Sequence, residues 1–245
     1  MGIVTPIVIF PFFMLITLVV QMVGAEINEE KSTRSMEIII SNVPAKVHFF
    51  SKILAANLFV IIQCALLGLY SLIGILLRGG KSLDSIQNVD VISNVTSGMD
   101  ITGMINNLVG YIPLVLILMA VTLLGYSLLA GILASMTTNM EDFQQLQTPI
   151  FVVSLVGFYL AIMNTMFDGA IFIRVLSYVP FISAILSPSL LVTGVIGFKD
   201  IILSILLMVV VIYLLLKYGL KIYKEGILNY SSNKLWKKML KALKH

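Results

Sequence analysis

Long apolar runs alternate with short polar stretches along most of this chain. A run of about 20 apolar residues is long enough for a helix to cross a membrane. Five runs come close to or exceed that length, over residues 3–25, 53–77, 108–135, 149–167 and 200–222. The pattern therefore predicts an all-α, polytopic helical membrane protein with five transmembrane helices.

A sixth apolar region, 171–198, is interrupted by Pro180 and Pro188. It is either a sixth span or a broken, re-entrant segment. Cationic loops stay in the cytoplasm, and with five spans twelve of the sixteen Lys and Arg residues fall on one side, in 26–52, in 136–148 and at the C-terminal end. A sixth full span would move the basic C-terminal end outside. We therefore favour a re-entrant external hairpin over 171–198.

The polar segment 26–52 separates the first two apolar runs and carries charges of both signs. A charge in hydrocarbon costs on the order of 3 kcal/mol or more, so this segment must face water. Apolar residues recur at helical spacing from Ile27 to Val43, and Pro44 ends that pattern. The segment predicts a short amphipathic helix on the cytoplasmic side; an ordinary solvated loop explains it equally well.

Three further polar segments say less about the function of the chain. Residues 78–107 predict a solvated external loop, and residues 136–148 predict a second cytoplasmic loop with an acidic, amide-rich patch. Residues 231–245 form a basic amphipathic tail of the kind that binds anionic lipid headgroups.

The amino-acid composition limits the kinds of site that this chain can form. The chain is 59% hydrophobic and 11% charged, whereas a soluble domain has about 25% charged residues. A single cysteine and two histidines predict neither a disulfide framework nor a metal site, and we expect no cofactor. Gly79-Gly80-Lys81-Ser82 lacks the first glycine of a phosphate-binding loop, so we expect no nucleotide hydrolysis by this chain. The basic net charge of +4 indicates membrane orientation and not nucleic-acid binding.

An enzymatic alternative arises from the pattern Glu29-Glu30-Lys31-Ser32-Thr33-Arg34. It resembles part of the EExxxR motif of intramembrane CAAX-type proteases, in which the acidic pair works with histidines on other helices. Here His48 is the available partner, and one histidine supplies too few ligands for a water-activating site. We do not favour this hypothesis.

Four stretches occur in the order found in type 2 ABC exporter permeases and resemble that family. They are EEKSTRSMEIIISNV followed by Lys52, EDFQQLQ before Pro149, YVPF with Ser187-Pro188, and KIYKEGIL at the end of the last span. The resemblance is closest to the subgroup of NatB-like sodium-export permeases. Members of that subgroup have an earlier first span and an external domain, for which we expect no counterpart here.

The resemblance implies a coupling helix that docks on a separate cytoplasmic ATPase, with two permease chains and two ATPases per transporter. The docking face would consist of Glu29, Glu30, Lys31, Arg34 and Glu37. Residues near the same partner would be Glu141, Asp142, Gln144 and Gln145. Pro180 and Pro188 would belong to the family's re-entrant external hairpin.

The sequence thus predicts a permease domain over residues 1–230 that exports a substrate, sodium ions by resemblance, across a bacterial or archaeal cell membrane. A peptide or drug exporter and an immunity factor of the same fold are the alternatives.

Overall fold

The computed structural model describes residues 4–77, 112–164, 171–192 and 194–229, and these residues are helical, without a strand. The helices in chain order are α1 (Val4–Ser32), α2 (Ser35–Asn42), α3 (Ala45–Leu77), α4 (Ile112–Met136), α5 (Met140–Met163), α6 (Ile171–Leu176), α7 (Ser183–Val192), α8 (Phe198–Leu214) and α9 (Leu220–Ile227). A π-helical turn, Leu215–Gly219, joins α8 to α9.

Among the described residues, five helical rods are long and apolar enough to cross a membrane: α1, α3, α4, α5 and the continuous rod from α8 to α9. The prediction of an all-α, polytopic membrane protein is confirmed. The predicted loop 136–148 is wrong in its extent, because α5 begins at Met140 and includes the acidic and amide side chains. Pro149 lies inside α5 and does not precede it. The helix tolerates the missing N–H because Pro149 and Gln145, four residues earlier, lie on its exposed side.

Helix α4 is the centre of the bundle and packs against α1, α3, α5, α7, α8 and α9. All residues from 130 to 137 are buried. The close approach of α4 to its neighbouring helices depends on small side chains, as is usual between membrane helices. A Cβ placed on Gly219 would lie 2.2 Å from Ile132 Cδ1, so α4 and the last rod touch where a larger residue would not fit.

The outer helices α3 and α8 expose large apolar side chains in continuous rows. Scattered exposed apolar residues are ordinary, but rows of them mark a surface that water does not cover. These rows suit contact with lipid tails, and they include Leu54, Leu58, Ile61, Ile62, Ile202, Leu206 and Val209.

The region predicted to be a re-entrant hairpin is a helix–turn–helix formed by α6 and α7. These helices have 6 and 10 residues, too few for the roughly 20 that a span requires. A sixth span is therefore not present in the described part of this region. Pro180 lies in the turn and Pro188 inside α7. Helix α7 is buried against α1, α4 and α5. The predicted external loop 78–107 and the predicted tail 231–245 lie outside the described residues.

Candidate functional site

Each of the five membrane-spanning rods has one terminus at the same end of the bundle, and we call this end the polar end. Helix α1 ends there, α3 and α5 begin there, and α4 and α9 end there. Side-chain contacts fix this arrangement: Thr137, after α4, donates a hydrogen bond to Asn28 on α1 at 2.9 Å, and Phe143 of α5 fills the space left by Gly24 on α1. Helix α2 connects α1 to α3 at the polar end.

Helix α2 is shorter than the sequence predicted. The expected single helix over 27–43 is divided, because α1 continues to Ser32 and a new helix begins at Ser35. The division lies at Arg34, whose φ of 57° is in the left-handed region that an α-helix cannot contain. The predicted end of the helix before Pro44 is observed: α2 stops at Asn42, and Val43 is extended.

Most of the residues predicted to form the docking face are exposed. Glu29, Arg34 and Glu37 lie at the surface, and Ile38 beside them is 70% exposed. On α5, Glu141, Gln144 and Gln145 are also exposed. Asp142 is half-buried, and its Oδ2 atom has no hydrogen-bond partner among the described residues. The carboxylates of Glu141 and Asp142 sit in the first turn of α5, where the positive end of the helix dipole favours them.

Glu30 is turned away from the surface and makes ion pairs within the protein. Its Oε2 atom lies 2.8 Å from His48 Nε2, and its Oε1 atom lies 2.6 Å from Lys52 Nζ. Lys52 also pairs with Glu26 at 2.8 Å. These contacts join the last turns of α1 to the first turns of α3. The sequence prediction that Glu30 belongs to an exposed face is not met, because its side chain is occupied by internal partners.

His48 extends this pairing to α9. Its Nδ1 atom lies 2.7 Å from the hydroxyl of Tyr223. A carboxylate only accepts, so Nε2 of His48 donates the proton of its hydrogen bond to Glu30. Tyr223 is fully buried, and its ring packs on Phe49 with centroids 4.4 Å apart. We call these hydrogen-bonded side chains the Glu30–His48–Tyr223 network.

Lys31 departs most from the sequence prediction. It was expected on the docking face, but it is 1% exposed. Its ammonium group donates to the carbonyl oxygen of Ser135 at 2.5 Å and to that of Gly226 at 2.8 Å. These carbonyls lie in the last turns of α4 and α9, where the helix dipole is negative and several backbone acceptors lack helical partners. The carbonyl of Gly226 also accepts from the backbone N–H of Asn229 at 3.1 Å. One ammonium group therefore caps two helices; we call this arrangement the Lys31 clamp.

The opposite end of the bundle contains a second polar cluster. Asp200, in the first turn of α8, accepts hydrogen bonds from the backbone of Gly197 at 2.8 Å and from the hydroxyl of Tyr178 at 2.5 Å. Arg174 on α6 lies 3.2 Å from the same carboxylate. Below them, the hydroxyl of Ser204 donates to the carbonyl of Ser177 at 3.0 Å. These contacts fasten the helix–turn–helix to the start of the last rod.

Comparison with known proteins decides the family. The family model described as ABC-2 family transporter protein matches residues 2–219. The chain belongs to the ABC-2 transporter family. As an ABC-2 protein it is a membrane component of a transporter, and the predicted resemblance to ABC exporter permeases is confirmed at the level of the family. No solved structure matches the chain.

Two curated relatives of this ABC-2 protein come from two different organisms. It is 30% identical over 243 residues to the uncharacterized protein YhaP of Bacillus subtilis, an alignment that covers 97% of this chain and 54% of the relative. It is 26% identical over 240 residues to the uncharacterized protein MJ1024 of Methanocaldococcus jannaschii, covering 96% of this chain and 52% of the relative. The chain spans about half the length of the curated relatives that it matches.

The structure of this ABC-2 protein brings together one pair required by the protease alternative, Glu30 and His48. That pair also contacts Lys52 and Tyr223. Among the described residues, no group of three or more His, Cys, Asp or Glu side chains is arranged to hold a metal ion. The family match supports the transporter resemblance of the motif.

Sequence reasoning missed His48 and Tyr223 as members of a network in this ABC-2 protein. They are 175 positions apart, so no local pattern links them. For Lys31 a signal existed. It continues the buried face of α1 at helical spacing from Ile16 through Val20, Val23 and Ile27, and a residue at the next position of that stripe is expected inside the bundle.

Proposed function

We propose that the chain is the membrane-spanning permease of an ATP-driven ABC exporter, whose energy comes from a separate cytoplasmic ATPase. The observation that carries this proposal is α2, a short helix between two spans that projects charged and apolar side chains at the polar end. The family match supports the transporter class, and α2 supplies a surface on which a soluble motor can act.

The exposed side of α2 has the composition of a helix that fits into a groove. It presents an apolar side chain, Ile38, beside charges of both signs, Arg34 and Glu37. Helix-in-groove recognition uses an apolar anchor with surrounding charges that fix orientation. Glu29 at the end of α1 and Gln144 on α5 extend the same surface. We propose that this surface docks on the ATPase.

The proposed orientation follows from the distribution of basic residues. The polar end carries Lys46 and Lys52 near the start of α3 and Lys221 and Lys224 in α9, and cytoplasmic ends of spans are enriched in lysine and arginine. Placing this end in the cytoplasm puts α2 within reach of an ATPase. It also places the cluster around Asp200 and the re-entrant helix–turn–helix at the external face.

Assembly and substrate belong to the same proposal. The exposed apolar rows of α3 and α8 suit lipid and a second permease chain, giving a transporter of two permeases and two ATPases in a bacterial or archaeal cell membrane. The transport direction is outward, and sodium is the substrate implied by the resemblance of the sequence to NatB-like permeases. The helix–turn–helix that contains Pro180 and Pro188 would form part of the external exit.

Site-specific photo-cross-linking tests the proposed docking. Benzoylphenylalanine replaces Ile38 on α2 or Leu206 on α8; both side chains are exposed, but the second lies in a lipid-facing row. After irradiation of native cells, the purified adducts are identified by mass spectrometry. We expect an ABC ATPase attached at position 38 and none at position 206. Absence of an ATPase adduct at position 38, or equal adducts at both positions, would contradict the proposal.

A further inference from the structure

We infer that the Lys31 clamp and the Glu30–His48–Tyr223 network are positioning residues that couple α2 to the last membrane rod. This inference rests on the proposed function, because it assigns to the proposed docking surface a defined route into the bundle. It separates the charged residues near α2 into exposed residues that contact the ATPase and inward-facing residues that transmit its motion to α9.

Helix α2 has little anchorage of its own. It has eight residues, Met36 is its buried side chain, and its first residue follows a left-handed Arg34 that makes no side-chain cap. An isolated helix of this length is not stable in water. Its position is therefore determined by the segments on either side, the end of α1 and the start of α3.

Both flanking segments hold the same helix, α9. Before α2, Lys31 binds the carbonyl oxygen of Gly226 at 2.8 Å. After α2, His48 binds the hydroxyl of Tyr223 at 2.7 Å. Gly226 and Tyr223 are three residues apart in α9 and therefore lie on one side of that helix, a single turn from each other. If α2 moves together with the end of α1 and the start of α3, these two contacts must transmit the movement to α9.

Glu30 connects the two contacts with α9, one made by Lys31 and the other by His48. It is adjacent to Lys31 in α1 and lies 2.8 Å from His48 Nε2. The flanks of α2 are thus tied to each other as well as to α9, and they move as one unit. Coupling of this kind requires a contiguous network and an element that has more than one arrangement.

The turn between α8 and α9 provides such an element. Leu215–Gly219 is a π-helical turn, in which each backbone hydrogen bond spans one extra residue. Such turns are rare and are frequently found at functional sites. Helix α9 can accordingly shift with α2 while α8 keeps its place in the membrane.

The variant Tyr223→Phe tests the inference with minimal disturbance. It removes the hydroxyl that contacts His48 and keeps the ring that packs on Phe49. The matched control is Tyr213→Phe, which removes an exposed hydroxyl from the same rod. Both are studied in lipid nanodiscs with the ABC ATPase recovered by cross-linking at position 38. Cys64 is replaced by Ser so that a single cysteine carries the fluorescent label.

The label is placed on α2 at Ser41→Cys or on α9 at Glu225→Cys, both exposed positions. Trapping with ATP and vanadate should change the emission of both labels in the parent chain and in Tyr213→Phe. In Tyr223→Phe we expect the α2 response to be kept and the α9 response to fall about twofold or more, the scale expected for residues that carry coupling. ATPase binding should be unchanged.

Three results would overturn the inference in distinguishable ways. An α9 response in Tyr223→Phe equal to that of the parent shows that the network does not transmit motion. Loss of both responses together with a lower melting temperature shows a purely structural role. Failure of the parent chain to bind the ATPase or to respond at α2 refutes the proposed function itself. The variant Glu30→Gln provides a second test, with the same selective loss at α9 expected.

Discussion

Replacing Lys31 by methionine tests the assignment of Lys31 as a buried helix clamp. Methionine keeps the length of the unbranched side chain but has no donor. The carbonyl oxygens of Ser135 and Gly226, which accept from the ammonium group at 2.5 and 2.8 Å, then lose that donor inside the bundle. The favourable interaction of the positive charge with two helix C-termini is lost as well.

The expected loss of stability follows from these contacts. A buried polar group that loses its partner costs about 1–3 kcal/mol. The carbonyl of Ser135 bears this cost, whereas the carbonyl of Gly226 keeps a hydrogen bond from the backbone N–H of Asn229 at 3.1 Å. Removing the ammonium group also removes the cost of keeping that charge away from water. We therefore expect the free energy of unfolding to fall by about 2 kcal/mol. Titration with SDS in mixed micelles, followed by far-ultraviolet circular dichroism, measures this change.

The matched control is Lys46→Met. Lys46 is exposed at the start of α3, and such a surface substitution should change the free energy of unfolding by less than about 0.5 kcal/mol. Equal losses in the two variants would refute the clamp. So would a Lys31→Met protein more stable than the parent, since it would mean that the buried charge costs more than its contacts contribute.

Two further substitutions test other close contacts by the same unfolding titration. A Cβ on Gly226 would lie 2.8 Å from the carbonyl oxygen of Ser135, so Gly226→Ala should force α9 from α4 and cost about 1–3 kcal/mol, whereas Gly68→Ala, with nothing within 4 Å, should have no such cost. At the opposite end, Asp200→Asn weakens charge-assisted bonds from Gly197 and Tyr178 and should cost about 1 kcal/mol. Arg174→Gln removes an exposed partner of the same carboxylate and should lower stability less than Asp200→Asn does.

A tolerated Gly226→Ala would mean that α4 and α9 are not in direct backbone contact. Equal effects of the Asp200 and Arg174 variants would mean that the ion pair, and not the hydrogen bonds, fastens α8 to the helix–turn–helix.

The five spans were predictable because apolar runs of sufficient length leave few other structures in a membrane. Helix ends were less predictable. Hydropathy ended the first span near residue 25, yet α1 continues to Ser32, because Glu30 and Lys31 find partners within the protein and need no water. In the same way, the polar residues 141–147 suggested a loop but form the first turns of α5.

The candidate site was predictable in part. Charge pattern and family resemblance located the exposed residues Glu29, Arg34 and Glu37. They did not separate these from the half-buried Glu30 and the buried Lys31, since adjacent residues of one motif point to different sides of α1. That division depends on contacts with α3, α4 and α9, which are made between positions as far apart as 195 residues and leave no local trace in the sequence.

The same separation has a consequence for biosynthesis. Lys31 is made early, but its acceptors follow 104 and 195 positions later. Until Gly226 leaves the ribosome and its helix docks, Lys31 has only the first of these two carbonyl acceptors to bind. The Lys31 clamp therefore closes only after the last rod has been synthesised and has docked, which makes it one of the final contacts of the fold to form.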